Sequence, residues 1–384
     1  MKISILCPDL SGNCFGRAYL LAEMLIKYYD IEIIGPILGN GVWSVIDVSK
    51  RVSLKGQKCD SLIQYIFSTN KTIKEITGDI LYVSKPRLQN FGVGLLKKSI
   101  AKKPLVLDID DWELGFLKDD YKQLSTTEKL GRIINPANLH NLYYLSMLLC
   151  EKLVHFANEI TVSNRYLQKK FGGTIIWHAR DEKLFDPGEY NKLKTREKYG
   201  IGPKEKIAMF LGTPGSHKGL ENLIEAIKQV KYTTLIVVGL NKQDNYSLKV
   251  DALAKKMLAE RYMGIELQPF DKAPEFLAIA DVIVIPQKKS LAAIGQMPAK
   301  VFDAMAMAKP IIATAVCDLP EILNGCGWIV EPENPKQLSE TIDYVMAHPE
   351  MQEEYGWKAR EKFISNYNKK AMEKVLLSVF NKNF

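Results

Sequence analysis

The 384-residue chain has no Cys-x-x-Cys pair, no Gly-x-Gly-x-x-Gly, no internal repeat and no low-complexity tract. Nor does any stretch approach the roughly 18 uncharged apolar residues of a membrane-crossing helix. Each absence excludes something. The six cysteines are Cys7, Cys14, Cys59, Cys150, Cys317 and Cys326. Several lie in apolar runs, which points to reduced thiols of a cytoplasmic protein and away from a disulfide frame or a zinc site. The apolar run in Met1–Pro8 is too short for a signal peptide and reads as a first strand. The spacing Gly12-x-x-x-Gly16, with no acid placed for a ribose, argues against a dinucleotide site.

What is present describes a globular protein: 47% hydrophobic and 25% charged residues. At this length two cores are expected. The net charge of +8 is compatible with anionic membrane surfaces, nucleic acid or phosphorylated ligands, and singles out none of them. Apolar runs predict strands at Ile3–Cys7, Ile31–Ile34, Asp79–Val83, Pro104–Ile109, Glu159–Ser163 and Thr174–Trp177 in the first half. In the second half they predict strands at 207–212, 235–239, 265–270 and 281–286, and one opening at Ile311. Helical patterns intervene: Gly16–Tyr28, Ser61–Ile76, Gly92–Lys103, Asn138–Phe156, Asn164–Phe171, Val250–Tyr262, Pro335–Ala347, Gln352–Asn366 and Lys369–Phe380. Alternating strands and helices imply α/β folding with parallel sheets. The basic helix Gly92–Lys103 could lie on an anionic membrane surface or simply cross the sheet with its lysines solvated.

Three stretches carry chemistry. Ser290–Thr314 runs from a loop with Gly295 and Pro298 through a helix to an apolar strand. Asp303 in that helix either complements the helix dipole or, with the N–H groups of the first turn, grips a polar ligand. Asp108, Asp110 and Asp111 sit at a strand end beside Trp112, where ligands of open α/β sheets bind. Such acids could serve acid–base or acceptor-positioning work, hold a metal, or cap a helix. Finally, a strand ending at Gly212 leads through Thr213 to Lys218 and Gly219 and then a helix. This can cradle a diphosphate through N–H groups and one ammonium, or leave Lys218 as a solvated lysine.

The segment KVFDAMAMAKPIIAT resembles the donor-binding segment of family-4-type retaining glycosyltransferases with the GT-B fold (glycosyl transferases group 1). Glu159–Ser163 is similar to that family's last N-domain strand, and Asp181, Phe185 and Pro187 match its inter-domain loop. Gly212, Lys218 and Gly219 match its Gly-Arg…Lys-Gly pattern. The resemblance implies two Rossmann-like doubly wound domains facing a cleft, with a C-terminal helix crossing back. The expected divisions are 1–187 (acceptor side), 188–366 (nucleotide-sugar side) and 367–384. It implies transfer of a sugar from a UDP- or GDP-linked donor to an acceptor hydroxyl with retention, on a glycan or lipid-linked glycan.

Asp303 would hold the ribose, with Lys218 and the amides of Gly295, Gln296 and Met297 on the diphosphate. Gln268, Pro269 and Phe270 would border the base. Gly12 and Gly16, with Asn13 and Arg17, would face the donor, and Asp110 and Asp111 the acceptor. No metal, cofactor or nucleic acid is implied. Two positions depart from the pattern: Gly295 stands where a first acid is usual, and Thr213 where Arg is usual. Lys300, within Pro298-Ala299-Lys300, could supply the second cation. The rivals are a nucleotide-sugar epimerase of the same fold and a non-catalytic sugar-nucleotide or partner-binding protein.

Overall fold

The computed structural model describes residues 1–384 except 50, 62–63, 66–68, 130–138 and 384. Two compact units emerge. The first comprises residues 1–178, 295–297 and 372–384, and the second residues 179–294 and 298–371. The residues from Ala179 to Pro187, expected in the first domain, thus pack in the second, where Phe185 is fully buried.

In the first unit the strands are β1 (Lys2–Leu6), β2 (Asp30–Ile37), β3 (Ser53–Lys58), β4 (Ile80–Ser84), β5 (Leu105–Ile109), β6 (Glu159–Val162) and β7 (Thr174–Ile175). They pair in parallel in the order β3-β2-β1-β4-β5-β6-β7. Starting at the centre and building outward to both edges is the doubly wound pattern. The central strands are apolar on both faces because helices cover both. Ile3, Ile5, Leu81, Val83, Val106 and Leu107 are all inaccessible. Each contributes about 1.5–3 kcal/mol of hydrophobic stabilisation. The first helix, Cys14–Leu25, buries Ala18, Leu21, Met24 and Leu25 at offsets of three and four. The last helix, Lys369–Asn383, contributes Leu376, Val379 and Phe380 to this unit, with Phe380 edge-on to Tyr82.

β3 has no counterpart among the expected strands. Its sequence, SLKGQK, is polar because it is an edge, half exposed along most of its length. Of the expected helix 61–76, five residues lie outside the described ones, and Thr69–Glu75 is helical. The helix expected from Asn138 begins at Leu139, Asn138 itself lying outside the described residues. An unanticipated helix, Glu113–Gln123, follows the acidic cluster.

The second unit has β8 (Lys206–Leu211), β9 (Thr233–Leu240), β10 (Tyr262–Glu266), β11 (Val282–Ile285), β12 (Ile311–Thr314) and β13 (Trp328–Val330). The order is β10-β9-β8-β11-β12-β13, again all parallel. Its core joins Phe210, Leu223, Ile227, Val237, Val284 and Ile342. β10 ends at Glu266, earlier than expected, so Gln268, Pro269 and Phe270 lie in the loop beyond it. The helix Lys192–Lys198 is fastened by Arg196, whose guanidinium donates to the Ile279, Pro203 and Glu205 carbonyls and to Asp281.

Candidate functional site

At the end of β8 the backbone turns at Gly212 with φ +138°, a conformation that L side chains rarely adopt. The chain then makes the single turn Ser216–Lys218 before the helix Leu220–Gln229. Gly219 separates the two at φ +66°, and a Cβ there would come within 1.9 Å of the Pro286 carbonyl. Only glycine fits, and its close packing on β11 fixes the start of the helix. Lys218 folds back so that Nζ donates to the Thr213 carbonyl at 2.7 Å. From the other side comes Lys300, the first residue of the helix Lys300–Ala306. Its Cε lies 3.6 Å from where a Cβ on Gly212 would stand. Gly212, Thr213, Lys218, Gly219 and Lys300 are therefore brought together, with two ammonium-bearing side chains flanking one bare glycine.

Asp303 is placed differently from expectation. It is 0% exposed. Arg180 Nε donates to its Oδ1, and Lys300 Nζ is 3.2 Å from its Oδ2. Burial alone would push its carboxyl up, but Arg180 and Lys300 together hold it below the usual range. It cannot present an open carboxylate to a ribose while so engaged. Its observed work is to hold two cations. Arg180 also stacks on Phe270, 5.0 Å from the ring centre, and Phe270 lies 5.6 Å from Phe185. Sequence reasoning gave Arg180 no role, because nothing local marks it as the partner of an acid more than a hundred residues away. Of the base-side residues, Phe270 joins this chain of contacts, whereas Gln268 turns its amide back onto the Glu266 carbonyl at 3.2 Å. Pro269 is exposed.

Gly295, Gln296 and Met297 make their described contacts at the acidic strand end. They belong to the first unit, where the Gly295 carbonyl accepts from Trp112 N–H at 2.9 Å and Gln296 Nε2 donates to Asp111 Oδ1 at 2.9 Å. Met297 is buried. With the Gly295 carbonyl and the Gln296 side-chain amide so engaged, this segment braces the acidic strand end.

That strand end is a buried ion cluster. Lys85, just past β4 and at φ +71°, points its ammonium at Asp110 (2.9 Å), Asp111 and Glu113 (3.5 Å). Arg87 makes a two-pronged pair with Glu113 at 2.9 and 3.0 Å. Burial raises the Asp110 carboxyl to about 6 against the pull of Lys85, while Lys85 and Gln296 outweigh burial at Asp111 and bring it to about 2. The neighbouring acids therefore divide into a reluctant and a firmly ionised member, the arrangement that separates acid from base duties. Among the described residues no group of three or more His, Cys, Asp or Glu is placed to hold a metal. Lys85 fills the place a cation would take. The signal for Lys85 was its position directly after a central strand.

Arg17, expected to face the donor, is engaged inside the first unit. It is buried, with Nε and Nη2 on the two oxygens of Asp108 at 2.9 and 2.8 Å and Nη2 on the Ile176 carbonyl at 2.9 Å. Gly16 lies inside the first helix, where a Cβ would meet the Trp43 ring at 3.2 Å, so it is a packing residue rather than part of a loop. Gly12 remains in the loop after β1, near Asp9.

Residues 191–362 match the family model described as "Glycosyl transferases group 1". Spore coat protein SA of Bacillus subtilis is 25% identical over 242 residues, 58% of this chain. The alignment spans 62% of that protein's own length. Among solved structures, a sucrose-phosphate synthase from Thermosynechococcus elongatus superposes with a TM-score of 0.78 at 16% identity, covering 100% of this chain and 98% of the other. Anabaena HepE in complex with UDP-glucose gives 0.76 at 16% identity, covering 99% of each chain. Both units thus have the parallel-sheet, Rossmann-like build of the GT-B fold. The match holds Gly212, Lys218, Lys300 and Asp303 within it.

Proposed function

We propose that this chain transfers a glycosyl group from a nucleoside-diphosphate sugar to an acceptor hydroxyl, with the donor held by the second unit. The observation that carries the reading is the pair Lys218 and Lys300 flanking Gly212 at the end of β8. A diphosphate laid across the bare glycine would meet both ammonium groups and the backbone N–H groups at the start of the helix Leu220–Gln229. Lys300 then supplies the second positive charge that Thr213, in place of Arg, does not. These fixed charges stabilise the leaving diphosphate as its charge develops, where preorganised electrostatics contribute most. Asp303 acts as a positioning residue that aims Lys300 and Arg180, and Arg180 extends the positive surface toward Phe270 and the base. The family match over these residues and the UDP-glucose complex of HepE support this assignment.

The donor is a UDP- or GDP-linked hexose and the product keeps the anomeric configuration. The acceptor is a glycan or lipid-linked glycan. Asp110 and Asp111 lie at the first unit's strand end, where an acceptor hydroxyl would be oriented. Incubation with UDP- and GDP-sugars plus candidate acceptors, followed by nucleoside-diphosphate release, tests the reading. Nucleotide binding without release from any donor would make the chain a binding module. Sugar isomerisation without acceptor would make it an epimerase.

The first unit's surface supports a peripheral place on an anionic membrane as part of this proposal. Ile100 is 71% exposed and Leu145 56%, and Leu96, Leu142, Leu149 and Phe156 are also exposed. Lys98 ties these helices together by donating to the Phe156 carbonyl at 2.7 Å. Lys97, Lys98, Lys102 and Lys103 add positive charge with no acid between Gly92 and Lys103. Apolar side chains beside lysines suit shallow insertion among anionic headgroups. No described helix is long and apolar enough to cross a membrane.

A further inference from the structure

We infer that Cys7 and Cys14 form a redox-active dithiol, a reversible disulfide site that closes the loop between β1 and the first helix in response to a peroxide. Cys7 directly follows β1, its N–H bonded to the Ile34 carbonyl at 2.9 Å. Cys14 is the first residue of the helix Cys14–Leu25. Both thiols donate to the same acceptor, the Asp9 carbonyl, at 3.4 and 3.0 Å. Two thiols held on one oxygen from opposite ends of a short loop are near neighbours, the first requirement for a disulfide.

The intervening loop is already ordered for this closure. Asp9 Oδ1 accepts from Ser11 N–H at 2.9 Å, Ser11 Oγ at 2.6 Å and Leu38 N–H at 3.2 Å. Ring closure therefore needs little rearrangement.

The two cysteines are chemically unequal. Cys14 sits at a helix N-terminus, and the Cys7 thiol, Arg87 and Lys85 favour its thiolate, outweighing its burial. Burial pushes the Cys7 thiol up. Cys14 is thus the attacking sulfur and Cys7 the resolving one. The Cys14 thiolate attacks hydrogen peroxide, forming an S–O bond as the O–O bond breaks and hydroxide leaves. Cys7 then attacks the Cys14 sulfur. An S–S bond forms, the S–O bond breaks, and the departing oxygen takes the Cys7 proton and leaves as water. Two electrons pass from the sulfurs to the peroxide. A dithiol reductant reverses the change by exchange. Cys7 is 1% and Cys14 6% exposed, so a small oxidant reaches Cys14 and bulky ones do not. The disulfide would enclose Pro8–Asn13, including Gly12, and pin the helix start to the strand end. This inference stands apart from the transfer reading and does not use it.

The test exploits the sequence. Ile3–Arg17 contains both cysteines and no internal Lys or Arg, so trypsin releases them in one peptide. The folded full chain is treated with hydrogen peroxide, quenched with an alkylating agent and mapped by mass spectrometry. The expected result is a peptide lighter by two hydrogens that takes no alkyl group, restored to two alkylations by a dithiol reductant. Cys7→Ser should instead leave a sulfenic acid on Cys14 that a dimedone probe captures. Cys7→Ala repeats that measurement should the serine variant fold poorly. Deuterium exchange of residues 8–13 should slow in the oxidised chain. The inference is overturned if both cysteines of that peptide stay alkylatable while the half-buried Cys317 oxidises. It is equally overturned if the wild-type chain accumulates irreversible Cys14 oxides without the disulfide.

Discussion

At the ends of β4 and β5 three acids surround Lys85, whereas at the end of β8 two lysines flank a bare glycine. The sheets share one winding pattern, so the difference is one of charge and not of scaffold. In the first unit Arg17, Lys85 and Arg87 meet Asp108, Asp110, Asp111 and Glu113, three cations against four carboxylates. Every cation is taken up by buried acids. In the second unit Lys300 and Arg180 share the single acid Asp303, and Lys218 donates to the Thr213 carbonyl. A surplus of positive charge beside an open backbone turn is what a diphosphate requires, and a self-contained acidic cluster is not. The contrast separates a strand end whose cations are matched by buried acids from one where two lysines lie beside a glycine turn.

This contrast can be broken by experiment. Arg17→Met should have the largest effect. It leaves Asp108 buried without its partner, at a cost of about 3–5 kcal/mol. The midpoint of urea unfolding should fall accordingly, and an unchanged midpoint would deny the structural role. Lys218→Ala should lower the rate of sugar transfer by about 10²–10³-fold, the effect of removing one preorganised donor. Its stability should change by only about 1 kcal/mol, the worth of one hydrogen bond. If instead Lys218→Ala unfolded the chain and left turnover intact, the division between the two strand ends would be reversed.

Asp110→Asn sharpens the point through pH. The folded pKa of Asp110, about 6, lies above the ordinary carboxyl value. Between that ordinary value and 6 the folded chain binds the extra proton, so this group's contribution to stability falls as pH rises through the window. Asp110→Asn should flatten that slope in urea midpoints measured across it. The smallest effect is expected at the surface. Leu145→Glu should weaken co-flotation with phosphatidylglycerol vesicles by roughly tenfold or more, given about 1.5–3 kcal/mol for a buried leucine. Nucleotide binding should be unaffected, and equal flotation of wild type and variant would remove the membrane surface from the account.

Much of this was legible before the structure. The central strands declared themselves as short apolar runs, and Gly212, Lys218 and Gly219 were found by spacing at a strand end. What sequence could not convey was pairing. Arg17 and Asp108 are far apart in the chain, and nothing local marks an arginine as buried. Lys85 looked like an ordinary strand-end lysine until three acids from the next strand's end closed around it. Asp303 was identified as important, but its partners Arg180 and Lys300 decide what it does. β3 escaped because an edge strand need not be apolar.

The central claim is that Lys218 and Lys300 receive a nucleoside diphosphate. Isothermal titration of UDP and GDP into the wild-type chain and into Lys218→Ala/Lys300→Ala tests it most directly. Two charge-assisted hydrogen bonds at about 1.5–3 kcal/mol each predict at least a hundredfold loss of affinity for the nucleotide that binds. Equal affinity in the two proteins would contradict the account.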